Sequence, residues 1–128
     1  MLSGYQPRPA RRRGVRCTRW RFERLVRHAC ETLPTRFQKL LGNVAIIVED
    51  LPSRVVRLEG GALGLYEGTP IGQRGTDYSM VLPDKISIYR LPLLRACHTQ
   101  RELREEVRLT VLHEIGHYFG ISDEELPF

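Results

Sequence analysis

Long apolar runs are missing from this 128-residue chain, so nothing in it has the length of a membrane span. Cysteine is scarce too. Cys17, Cys30 and Cys97 form an odd, widely spaced set without a CxxC pair, which argues against a disulfide framework. Cys30 falls on an apolar helix face and Cys97 near a helix-like end, so both read as reduced core or boundary thiols. Lysine is almost absent: Lys39 and Lys85 stand against a total of 20 basic residues, a bias that fits a GC-rich genome and carries little functional meaning. The opening "MLSGYQPRPARRRGVRC" has the charge of a signal peptide but no apolar stretch follows it, and the cytoplasm is the expected compartment. The glycines recur at no fixed interval, which excludes a repeat architecture. The length fits one domain with a real core.

The charge is uneven. Of a net +5, nine arginines fall within the first 27 residues, opposed there only by Glu23. Residues 1–15, with two prolines, two glycines and no apolar period, read as a basic flexible tail, leaving 16–128 as the folded domain. Arginine clusters attract phosphate, but no nucleic-acid fold signature accompanies this one and Trp20 is the single tryptophan, so a solvated tail is the expectation.

From Thr18 onward Phe22, Leu25, Val26, Ala29, Cys30 and Leu33 recur at helical spacing, and Pro34 closes the helix. "TRFQKLLGN" predicts a short turn before "NVAIIVED", whose β-branched run over 44–48 reads as a buried strand. In the glycine-rich passage that follows, "LGLYEG" reads as a short strand, with Gly68, Pro70 and Gly72 opening a loop. "DKISIYR" is a better strand, placing Ile86 and Ile88 on one face and Ser87 and Tyr89 on the other. "LPLLRACH" reads as a short helix.

The last element is the clearest. Thr99 and Glu102 make a capping box, Leu103, Val107, Val111, Ile115 and Phe119 recur every four residues, and Gly120 sits where a helix end favours a left-handed residue. A helix over about 100–119 follows.

That helix carries "HEIGHYFGISD". Residues four apart share a helix face, so His113 and His117 can direct two imidazole nitrogens at one zinc ion. Glu114 leans off that axis and can hold a water beside the metal as general base. A straight helix offers no third ligand. Gly120 lets the chain reverse, and Asp123 then completes a His-His-Asp set with the fourth position left to water; Glu124 and Glu125 are nearby competitors, and spacing favours Asp123. Gly116, between the two histidines, suggests either a close approach to the backbone or a tolerated glycine near a helix end. His28 and His98 lack ligand spacing and read as structural or solvated.

This motif resembles the zincin metallopeptidases, more narrowly those with an aspartate in place of the third metzincin histidine. With "NVAIIVEDLP", "LGLYEGTP" and "PDKISIYR" ahead of the motif, residues 18–128 resemble a family of short bacterial zincin-like proteins, candidate zinc metallopeptidases. The resemblance implies an α+β, minimal zincin-like fold: a small mixed β-sheet packed by a backing helix and a C-terminal active-site helix. It further implies peptide or protein substrates, paired with an edge strand for which "LGLYEG" is the candidate. Tyr118, Tyr66 and Arg74 are candidate oxyanion donors, Tyr118 being the one expected to serve packing instead. The chain departs from metzincins in lacking a methionine turn after the motif. That departure motivates the alternative of a non-catalytic or partner-completed metal-binding regulatory module.

Overall fold

The computed structural model describes residues 14–69, 84–121 and 123–125; the side chain of Asp123 lies outside that description. The basic tail expected over 1–15 falls, up to residue 13, outside the described residues, as do Pro70, Gly72 and Arg74. The first helix, α1 (Arg19–Glu31), starts where the Thr18 hydroxyl accepts the Arg21 N–H at 3.2 Å, and it buries Phe22, Val26 and Ala29. A short α2 (Thr35–Leu40) and a 3-10 turn (Leu41–Asn43) lead into β1 (Val44–Glu49). Next comes α3 (Arg54–Leu58), capped by the Ser53 hydroxyl. It was not foreseen, because five residues are too few to show a helical period. The chain continues with β2 (Gly64–Glu67), β3 (Asp84–Tyr89), α4 (Arg90–Ala96) and the long α5 (Gln100–Phe119), then a 3-10 turn at Asp123–Glu125. This is the expected α+β arrangement of a small mixed sheet with a backing helix and a long C-terminal helix.

The strands lie in the order β1-β3-β2. β1 runs parallel to β3, with Val44 opposite Asp84 and Glu49 opposite Tyr89. β2 runs antiparallel to β3, with Gly64 opposite Ile88 and Tyr66 opposite Ile86. Side chains alternate along β3 as the sequence predicts, yet Ile86, Ser87, Ile88 and Tyr89 are all buried. The central position explains this: β3 is paired on both edges and covered on both faces, so alternation no longer separates core from solvent.

The helix α5 spans the predicted residues. Its Thr99 hydroxyl accepts the Glu102 N–H at 3.0 Å, and a carboxylate oxygen of Glu102 accepts an N–H at 2.7 Å. That donor is His98, one residue before the expected Thr99. Leu103, Val107, Val111 and Ile115 have no exposed surface and share one core with Phe22, Val26, Ala29 and Leu33 of the first helical segment and with Ile86 and Ile88. Burial of each such side chain stabilises the fold by about 1.5–3 kcal/mol. Phe119, expected to close the stripe, is only half-buried and packs on Phe37 at 5.2 Å. The buried face is wider than the four-residue stripe, for it also takes in Thr110, Leu112, Glu114, Gly116 and Tyr118. At the far end Gly120 adopts φ 77°, and the N–H groups of Gly120 and Ile121 return to the carbonyls of His117 and Gly116, each at 3.0 Å. This paired cap turns the chain sharply after the second histidine.

Arg90 ties the start of the domain to the sheet. Its guanidinium donates to the Asp50 carboxylate at 2.9 Å and to the Cys17 carbonyl at 2.7 Å, while Arg19 donates to the carbonyl of Val48. Among the described residues no helix is long and apolar enough to cross a membrane.

Candidate metal centre

His113 and His117 sit one helical turn apart on α5, their ring centroids 4.4 Å from each other at an interplanar angle of 70°. Glu114 is buried between helix and sheet, whereas the His117 side chain is half-exposed. His117 Nδ1 lies 3.1 Å from a Glu114 carboxylate oxygen. One ligand atom from each of His113, Glu114 and His117 can be chosen so that all lie within 4.8 Å of one another.

The sheet explains why Glu114 is buried while the two histidines are not. Gly64, first residue of β2, passes so close to α5 that a methyl group there would lie 2.9 Å from Thr110 Cγ2, 3.1 Å from the Ser87 carbonyl oxygen and 3.2 Å from Glu114 Cγ. The missing side chain lets strand and helix approach. Between them a cleft of about 350 Å³ is lined by Leu63, Gly64, Leu109, Thr110, His113 and Glu114. Gly64, Thr110 and Leu109 were not singled out from the sequence. The available signal was the glycine inside a strand pattern, which marks a close backbone approach.

The other candidates are placed as follows. Tyr118 is buried and donates its hydroxyl to the Leu40 carbonyl at 2.9 Å. Tyr66 donates to Asp84 Oδ2 at 2.8 Å and stands edge-on to Tyr118 with centroids 5.9 Å apart. Neither hydrogen bond is made to the residues of the histidine cluster. His28 and His98 are exposed and lie apart from it in sequence. Asp123 begins the 3-10 turn just after Gly120, so its backbone is close in sequence to the cluster, and Glu124 and Glu125 beside it are exposed. Burial pushes the Tyr89 hydroxyl above its ordinary range, and the carboxylates of Glu49, Glu67 and Glu114 act in the same direction.

The donor chemistry suits a divalent cation. Zinc takes imidazole nitrogens at about 2.0–2.1 Å, so two nitrogens on one ion lie at most about 4.2 Å apart, and the ligand atoms of this cluster lie within 4.8 Å of one another. A carboxylate against Nδ1 of His117 also favours the tautomer protonated there, which leaves the Nε2 lone pair for a metal.

A solved structure, that of a conserved hypothetical protein from Thermus thermophilus, is 29% identical with a TM-score of 0.55, the match covering 80% of this chain and 94% of that one. No curated protein matches the chain. Residues 41–127, which hold the sheet, the cleft and both histidines, match the zincin-like metallopeptidase family. The chain belongs to the zincin-like metallopeptidase family.

Proposed function

We propose that the chain is a zinc-dependent peptidase that hydrolyses peptide bonds in the cleft between β2 and α5. The observation that carries this reading is the placement of Glu114, buried beside His117 and open to a cleft whose other wall is a strand. His113, His117 and Asp123 would hold the metal, Asp123 following in sequence the turn that Gly120 begins. The chemistry zinc supplies in such a site is Lewis acidity toward water and toward a carbonyl oxygen.

The chain's own residues do the rest. Among the described residues β2 pairs only with β3, so its other edge offers main-chain donors and acceptors to an extended peptide. Gly64 brings that edge close to Glu114. The Glu114 carboxylate takes a proton from the attacking water as the new C–O bond forms, then delivers it to the nitrogen as the C–N bond breaks. Glu114 Cγ lies against Gly64 and its carboxylate beside His117 Nδ1, which limits the rotamers it can adopt and favours a fixed base position.

The test is Glu114→Gln. It keeps the side chain's size and removes its basicity, so the variant should retain zinc and lose at least about 100-fold in peptide cleavage. Cleavage at the wild-type rate would remove Glu114 from the base role. Zinc retained by the wild type without cleavage of any unstructured peptide would favour a metal-binding module instead.

A further inference from the structure

Leu63 borders a second cavity besides the cleft at the histidines. This second groove measures about 540 Å³. Its floor and rim are apolar, formed by Leu51, Pro52, Leu63 and Pro92, while Arg57 of α3 and Arg95 of α4 supply its charge. No carboxylate lines it among the described residues. Both arginines are exposed, and neither forms an ion pair among the described residues. By contrast Arg19, Arg90 and Arg108 are each matched to an acidic neighbour. The turn that builds the groove requires glycine: Gly60 and Gly61 adopt φ 109° and 81°, and the Gly61 N–H returns to the Val56 carbonyl at 2.9 Å. That turn holds the end of α3, and with it Arg57, beside the start of β2.

We propose that this groove is a specificity subsite that receives an Asp or Glu side chain on the leaving side of the cleaved bond. The proposal rests on the peptidase reading of the neighbouring cleft. A peptide pairing antiparallel with β2 runs from the Glu67 end toward the Gly64 end, so the residues after the scissile bond pass Leu63 and enter the groove. At about 3.3 Å per residue, the turn at Gly61 is reached some two to four residues past the bond held at Glu114. An acidic side chain there meets two unmatched guanidiniums above an apolar floor, whereas a basic one meets two like charges.

Two measurements test this with the full chain. The first is fluorescence anisotropy on zinc-loaded Glu114→Gln with two labelled, amidated decapeptide pools that differ only in Asp and Glu against Asn and Gln. The acidic pool should bind about five- to tenfold more tightly, and Arg57→Glu/Arg95→Glu in the same background should abolish or reverse that preference. Both positions are exposed and outside the core, so the variant should melt with the parent. Equal binding of the two pools, or a preference unchanged by the double substitution, would overturn the subsite. The second is cleavage of a proteome-derived peptide library by the wild-type chain, read by mass spectrometry. Cleavage without acidic enrichment two to four residues into the leaving side would sink the subsite and leave the peptidase standing. Acidic-selective binding lost in the double variant, without any cleavage, would sink the peptidase reading and the leaving-side assignment with it, leaving only a groove that binds acidic side chains.

Discussion

Replacing Gly64 by alanine tests how strand and helix meet at the cleft. A methyl group there lies 2.9 Å from Thr110 Cγ2, and the next contacts, a backbone oxygen at 3.1 Å and Glu114 Cγ at 3.2 Å, leave it nowhere to go. Overpacking of this kind costs about 1–3 kcal/mol. Gly64 is not among the glycines with positive φ, so alanine recovers roughly 0.4–1 kcal/mol by restricting the unfolded chain. The expected net loss is about 0–2.6 kcal/mol, measured by urea denaturation of the apo protein. Thr110→Ser deletes the nearest clashing atom while keeping the hydroxyl, so the double variant should recover about 1 kcal/mol relative to additivity. Because Glu114 is also displaced, Gly64→Ala should slow cleavage more than its stability loss explains. A double-mutant cycle additive to within about 0.5 kcal/mol would show that β2 does not press on α5 as described.

Two smaller predictions concern groups away from the metal. Tyr118→Phe removes a buried hydrogen bond to the Leu40 carbonyl and should cost about 0.5–1.5 kcal/mol in urea denaturation, with the cleavage rate unchanged. A tenfold loss of rate with no loss of stability would instead make Tyr118 an oxyanion donor. Burial pushes the Cys30 thiol from its reference 9.0 up to about 11, with Glu31 adding to the shift. Its alkylation by iodoacetamide should therefore keep accelerating beyond pH 9 and level off near 11; a plateau at pH 9 would contradict the burial. The sign for stability follows from the raised folded value: this thiol's contribution is intact at neutral pH and is lost as pH climbs from about 9 toward 11, where only the unfolded chain is ionised.

Much of the architecture was legible because local signals agreed with tertiary ones. The helix α5 could be bounded from residues 100 to 119 since its N-cap, its apolar stripe and its left-handed glycine all pointed to the same ends. The placement of His113 and His117 follows from helix geometry alone. What stayed hidden is what needs a second element. Burial of Ser87 and Tyr89 depends on β3 being central, and the order β1-β3-β2 is not written in any one strand. Gly64 looked like one glycine among several until β2 was laid against Thr110 and Glu114. The capping carboxylate of Glu102 reached His98 instead of Thr99, a shift of one residue that depends on how α4 delivers the chain to the cap. The second groove joins residues from α3, α4 and the turn before β2, so no spacing rule could have assembled it.

The central claim is a metal held by α5 and the turn after it. Its most direct test is metal content by mass spectrometry on untagged protein, measured beside His113→Ala and Asp123→Ala. About one zinc per chain is expected in the wild type, lost in both variants. A wild-type chain that stays metal-free after zinc is supplied, or a His113→Ala chain that keeps its full zinc, would contradict it.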